Sequence, residues 1–411
     1  GFQPPAARAL IMYSCMVIAL GCDRLHSPLT TLSGAALTIL LIDPRAIESP
    51  SFQLSFSAVA SIVMISPKLL SLFPCPRING LNPAYKARNL LLSIVVITFT
   101  ATLGTLPLLL FHFNRLSLVT LPSNLLVQPL ICFFSLPIGI VSLPFILFNQ
   151  SVAALLLDTG ARVLEVAHDI AKLLSNPEYS QLWVASPPLL LILIYYLLLF
   201  SVPYLKFSSL RSTLILICST LVTFQLLFPF DTPIRFRLQN ERVTILDVGH
   251  GSANLIELKE GRVVLIDGGS RSAPGYDCGT RIIAPYLWHN RISKIHDIVI
   301  THEDADHFNG IPTVIKRFKP ERLWLPHLEQ SKQGFTRLIG LAREYDLDII
   351  VPAPGVIIEE SGGQISVIGP PSSDISGTED DRGLVLRLQF GEISVLFPGD
   401  ISKKREIELI R

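Results

Sequence analysis

Charge is what this 411-residue chain has least of. Asp, Glu, Lys and Arg make up 16% of it, where a soluble globular chain carries about 25%. The deficit is concentrated before Phe230. Lys and Arg total 34 against 33 Asp and Glu, for a formal net charge of +1. Bulk charge therefore gives no footprint for nucleic acid. Six cysteines occur without close pairs, five of them in the apolar half. Neither a disulfide framework nor a zinc ribbon organises such a chain. No signal-peptide pattern precedes the first apolar segment, and the first residue is Gly1. The expectation is a piece of a longer protein, incomplete at both ends.

What fills the first half is long hydrophobic runs; hydrophobic residues make up 49% of the chain. Spanning a bilayer takes about 17–25 apolar residues. Candidate spans are residues 6–21, 29–43, 52–73, 90–111, 116–133, 135–149, 187–205 and 212–230. Residues 152–174 differ, because Asp158, Arg162, Glu165, His168, Asp169 and Lys172 punctuate them at near-helical spacing. They read as an amphipathic helix lying at the interface or an ordinary soluble helix between spans. Lys68, Arg77, Lys86 and Arg88 flank one loop, and Lys206 and Arg211 sit in another. Short loops rich in Lys and Arg face the cytoplasm. With both loops inside, four spans between them close the parity, and the last span carries the second half to the extracytoplasmic side.

Some spans are poor generic anchors. Pro122, Ser123, Asn124, Gln128 and Pro129 fall inside one apolar run, and Gly104 and Pro107 interrupt the preceding one. Polar residues at membrane depth are functional candidates, and broken helices survive there only where protein or a water-filled path satisfies the backbone. Asn124, Gln128 and Pro129, with Gln53 from the segment Pro50-Ser51-Phe52-Gln53, are the candidates to line such a path; the other reading is a tolerated proline kink with Asn124 bonded to a neighbouring helix.

The second half has ordinary charge density. Val243–Leu246 reads as a strand ending at Asp247, and Val263–Ile266 as another ending at Asp267-Gly268-Gly269. Ile295–Thr301 then leads into His302-Glu303-Asp304-Ala305-Asp306-His307. Four hard or borderline metal ligands, His302, Asp304, Asp306 and His307, thus lie within six residues at a strand end, with Glu303 assigned no role. Like carboxylates this close repel unless a cation neutralises them. A further apolar strand, Val395–Phe397, delivers Asp400. A strand-rich start followed by alternating elements suits sheets flanked by helices.

The metal loop resembles the His-x-His-x-Asp-His pattern of the metallo-β-lactamase fold, with Asp304 at the second His. Asp247-Val248-Gly249-His250-Gly251-Ser252-Ala253, Leu265–Gly269, Asp277 with Gly279, and Asp380-Asp381 before Leu384-Val385-Leu386 are similar to successive motifs of the ComEC family of bacterial DNA-internalisation competence proteins. Gly1-x-x-Pro4-x-x-x-Arg8-Ala9, Pro50–Phe56 and Asn124-Leu125-Leu126-x-x-x-Pro in the apolar half are similar to that family too.

This resemblance implies an α-helical polytopic membrane domain, residues 1–232, followed by an α/β metallo-β-lactamase-like αββα sandwich, residues 240–411, truncated at its C-terminus. It implies a bacterial inner-membrane, multi-pass channel taking up DNA, one strand through the membrane and double strand outside, alongside lipid and other uptake proteins. The second domain would be a metal-dependent phosphodiesterase or nuclease with His302 and Asp306 as catalytic residues. His302 and Asp304 would hold one divalent ion and Asp306 and His307 another, with Asp400 bridging. Asp267, Asp380 and Asp381 are further ligands or supports. The carboxylate content favours Mn²⁺ or Mg²⁺, with Zn²⁺ also accommodated. Two other readings stay open: a membrane-anchored metallohydrolase of small substrates, and a DNA channel whose metal domain binds DNA without cutting it.

Overall fold

The computed structural model describes residues 9–14, 17–18, 27–73, 83–175, 180–204, 210–227, 241–259, 261–269, 276–328, 332–360, 363–369 and 382–410. They fall into two compact units, Gly1–Pro229 and Phe230–Arg411. The first unit is helical: α1 Pro28–Ile42, α2 Pro50–Ser71, α3 Pro83–Phe113, α4 Thr120–Pro129, α5 Leu136–Phe148, α6 Gln150–Leu174, α7 Leu189–Ser201 and α8 Leu210–Leu227. A two-stranded ribbon, β1 Arg115–Ser117 with β2 Gln181–Trp183, joins distant segments. Among the described residues three helical stretches are long and apolar enough to cross a membrane: Pro50–Ser71, Ala87–Phe113 and Thr120–Phe148. Most of segment 6–21 lies outside the described residues.

Two expectations change here. Residues 116–133 and 135–149 are not separate spans; helix runs without a break from Thr120 to Phe148. Pro122 lies in the first turn, where a missing N–H costs no helical bond. Pro129 is followed by a π-helical turn, Leu130–Ser135, which absorbs its lost donor. Nor do Gly104 and Pro107 interrupt α3. Gly104 instead marks a close helix crossing, since a Cβ there would lie 2.1 Å from Ser61 Oγ and 2.8 Å from the Ser57 carbonyl oxygen. The Tyr196 hydroxyl donates to the Gly104 carbonyl at 2.8 Å, and Ser66 and Thr100 pair at 2.8 Å. Small residues and interhelical hydrogen bonds hold helices together where no hydrophobic drive exists between them.

Residues 152–174 lie within the single helix α6. One residue, Asn149, separates it from α5 and caps it, accepting from the Val152 N–H at 3.2 Å. Helix α6 packs back along α4 and α5, and the Ser135 hydroxyl donates to the Gly160 carbonyl at 3.0 Å. The segment from Thr120 to Leu174 is therefore a helical hairpin.

The second unit contains β3 Arg242–Ile245, β4 Asn254–Glu257, β5 Val263–Ile266, α9 Ala284–His289, β6 Asp297–Val299, α10 Ala305–Phe308, α11 Ile311–Phe318, β7 Arg322–Trp324, α12 Gln333–Glu344, β8 Asp348–Ile350, β9 Ile357–Glu360, β10 Gly363–Gly369, β11 Val385–Phe390, β12 Ile393–Phe397 and α13 Lys403–Ile410. Strands β3 to β8 form one sheet in chain order, antiparallel up to β5 and parallel from β5 to β8. The other sheet has the order β12-β11-β10-β9.

The two sheets face each other across one apolar core. Ile256, Val264, Ile266, Val299 and Trp324 from the first meet Ile365, Val367, Leu386, Leu388 and Phe397 from the second. The alternate residues Leu255, Leu265, Ile298 and Leu323 are equally buried on the opposite face, as strand periodicity requires. Helices α9, α11 and α12 bury their own apolar positions there, among them Leu287, Val314, Phe318, Phe335 and Leu338. At the start of β6, Asp297 is fully buried and accepts from Arg262 Nε (2.8 Å), Arg322 Nε (2.6 Å) and Trp324 Nε1 (2.9 Å).

Candidate metal centre

Both strands that lead into the centre from the first sheet end in polar residues. After β5 the chain turns at Asp267, whose φ of 62° is left-handed; Asp tolerates that region better than most residues. After β6 come Ile300, Thr301 and His302. Asp267 is 1% exposed, and its carboxylate meets four donors. Thr301 N–H donates at 2.8 Å, Thr301 Oγ1 at 2.9 Å, Ser252 Oγ at 2.8 Å and His307 Nδ1 at 2.9 Å. The carboxylate thus assigns the His307 proton to Nδ1. Thr301 Oγ1 has given its hydrogen to Asp267, so its oxygen accepts from His302 Nδ1 at 3.0 Å. One buried carboxylate therefore orients both imidazoles, one directly and one through a hydroxyl.

The other ring nitrogens face Asp400. His302 and His307 are 3% and 2% exposed, and neither Nε2 has a hydrogen-bond partner. Their ring centroids are 3.9 Å apart. Asp400 Oδ2 lies 3.9 Å from His302 Nε2 and 3.5 Å from His307 Nε2. Two orphaned imidazole nitrogens facing a carboxylate are the donor set of a divalent ion, and His302, His307 and Asp400 have the spacing to hold one. Deep burial pushes the His307 imidazole down, but the Asp267 hydrogen bond and the nearby Asp267, Asp400 and Asp306 carboxylates outweigh it and hold the group above its ordinary value.

The remaining loop residues flank this trio. Asp304 Oδ2 lies 3.7 Å from His302 Nε2, and Asp306 Oδ2 4.0 Å from His307 Nε2. The Lys332 ammonium binds the other Asp304 oxygen. That hydrogen bond, reinforced by the lysine's charge, holds the Asp304 carboxyl below the usual carboxylate range. Glu303 is buried. His250 is 86% exposed, with Nε2 3.7 Å from Asp306 Oδ2. Its neighbour Gly251 has φ +85°, and a Cβ there would sit 1.9 Å from the Asp306 carbonyl oxygen, so only glycine lets this loop seat on the metal loop. Asp380 and Asp381 lie outside the described residues. Sequence reasoning missed Lys332, Thr301 and Ser252. Only Ser252 gave a signal, as a member of the Asp247–Ala253 run.

In the first unit, Asn124, Gln128 and Pro129 all sit on α4, with Asn124 and Pro129 half-buried and Gln128 exposed. Gln53 lies on α2; its Nε2 donates to the Ile47 carbonyl at 2.8 Å, and its Oε1 lies 2.8 Å from His112 Nε2.

The competence protein family matches residues 1–208, and the metallo-β-lactamase superfamily matches residues 246–411. The chain belongs to the competence protein family: a membrane protein whose apolar helices precede an α/β metallo-β-lactamase-like unit. It is 23% identical over 389 residues to ComE operon protein 3 of Bacillus subtilis (strain 168), covering 91% of this chain and 47% of that protein. To Recombination protein 2 of Haemophilus influenzae it is 24% identical over 443 residues, covering 99% and 51%. The chain thus spans about half the length of these curated relatives. Among solved structures it is similar to MEM-A1, a subclass B3 metallo-β-lactamase from a soil metagenome library, at 18% identity and a TM-score of 0.25, covering 38% of this chain and 58% of that one.

Proposed function

We propose that the protein is an inner-membrane channel for uptake of transforming DNA, with an extracytoplasmic metal-dependent hydrolase domain that degrades the strand not transported. Residues 1–232 form the channel and residues 240–411 the hydrolase. The observation that carries the hydrolase reading is the pair of orphaned Nε2 atoms of His302 and His307 facing Asp400. These three residues would hold a divalent ion, Mn²⁺ or Mg²⁺ in preference to Zn²⁺ because the Asp400 carboxylate, with Asp306 beside it, makes the set harder than imidazoles alone. Such an ion would activate a water and polarise the attacked phosphate. The chain's own residues do the positioning. Asp267 and Thr301 fix the imidazole planes, and burial keeps bulk water from competing for the ring nitrogens.

The helical hairpin supports the orientation. Two helices that fold back on each other add either no crossing or two, so Thr120–Leu174 returns the chain to the side it left. On this reading the shorter apolar helices α7 and α8 also cross: α3 leaves the cytoplasm, α7 returns to it, the basic loops around residues 77–88 and 206–211 stay inside, and α8 exits. DNA is the transported partner, with lipid and other uptake proteins around the channel.

Cleavage of double-stranded DNA by the purified full chain with Mn²⁺ tests the hydrolase reading. Wild type is expected to cut, and the Asp306→Ala, Asp400→Ala double variant to lose both cutting and bound metal. Wild type that binds no metal sinks this reading. A phosphatase fused after residue 240 is expected to be active, and activity of a cytoplasm-only reporter there instead reverses the orientation.

A further inference from the structure

We propose that the Lys332 ammonium is the second cation of this centre, so that the chain takes one divalent ion where the metal-loop pattern implies two. The proposal rests on the metal-dependent reading above. It starts from Asp304, the residue standing where the loop pattern has its second histidine. One Asp304 oxygen faces His302 Nε2 at 3.7 Å, and the other is bonded by Lys332.

The lysine is delivered by a built element. Lys332 is the N-cap of α12, with extended backbone (φ −111°, ψ 131°). Its carbonyl accepts from both the Thr336 N–H (3.0 Å) and the Thr336 hydroxyl (3.2 Å). Helix α12 buries Phe335, Leu338 and Ile339. The Phe335 ring packs edge-on against Phe308 of α10 at 5.7 Å, and α10 begins one residue after Asp304. The lysine and the metal loop therefore ride on two elements packed together. Lys332 is half-buried.

Charge points the same way. The buried Asp267 charge is already met by its four donors. Among the described residues Asp304, Asp306 and Asp400 place three carboxylates beside the two imidazoles, a charge that one divalent ion and one ammonium balance. A second divalent ion on Asp304 would sit against the ammonium and repel it. Lysine is a compact point charge suited to a phosphate oxygen.

The test counts ions in the purified full chain after equilibrium dialysis against Mn²⁺, with the spin-resonance spectrum separating isolated from coupled manganese. Wild type is expected to hold one isolated ion, and Lys332→Met, with its lysine gone, a second coupled one. Lys332→Arg is expected to keep the wild-type count. Asp304→Asn, which removes no ligand of the single ion, is expected to escape the 10- to 100-fold loss of affinity usual when a metal-supporting contact is removed. Two ions in wild type, one ion in Lys332→Met, or loss of the ion in Asp304→Asn each overturns the proposal while leaving metal dependence standing. No ion in wild type overturns both.

Discussion

His307 Nδ1 and Asp267 Oδ2 are 2.9 Å apart, and both residues are almost wholly buried. Asp267→Asn keeps the volume and tolerates the left-handed backbone, but weakens the acceptor that holds both imidazoles. Metal affinity is expected to fall about 10- to 100-fold, the usual effect of losing such a supporting partner. Calorimetry with Mn²⁺ checks this, and an unchanged affinity would show that the imidazoles are oriented by something else.

Gly104 is the contact point of α2 and α3. Gly104→Ala puts a Cβ 2.1 Å from Ser61 Oγ, so the helices must separate. The expected cost is about 1–3 kcal/mol, read as a lower unfolding temperature in detergent. Adding Ser61→Gly is expected to recover only part of it, because the Ser57 carbonyl remains 2.8 Å away.

At the other end of β6 from the metal loop, Asp297→Ala removes the buried carboxylate that two guanidinium groups now share. Removing one partner of a buried ion pair costs about 3–5 kcal/mol. Chemical denaturation of the second unit's fluorescence is expected to show that loss. Protein that remains folded is expected to bind Mn²⁺ normally, since the network does not touch the centre.

Asn124 and Gln128 lie four residues apart on α4 and so share a face. Replacing both with Leu removes two hydrogen-bonding groups while leaving the helix apolar enough to insert. Transformation frequency is expected to collapse in cells that insert the variant normally, with DNA cutting by the second unit retained. Wild-type transformation would reduce both residues to packing.

The parts of the fold that could be read in advance are those where sequence periodicity and strand-end chemistry act locally. His302 and His307 follow an apolar run within six residues of each other, and Asp400 ends another run, so their convergence needed only two strands to meet. The role of Asp267 was half legible: an Asp-Gly at a strand end is visible, but its four donors come from two separate segments, Ser252 and the stretch from Thr301 to His307. Lys332 was illegible, because a lone lysine in a polar stretch gives no hint that packing of Phe335 on Phe308 will carry it to Asp304. The apolar half misled where proline was read as a break. Pro122 falls in a first turn, and a π-helical turn follows Pro129, and neither compensation is written in composition.

Asp400 hangs from β12, the edge strand of the four-stranded sheet, while both histidines belong to the loop after β6 of the six-stranded sheet. Any cation gripped by all three fastens one layer of the sandwich to the other at its open rim. Loading the centre and locking the layers are then a single event. The seam between the sheets is where an unloaded chain should first admit protease or exchange its amide hydrogens, far sooner than the interior shared by Ile256 and Leu388.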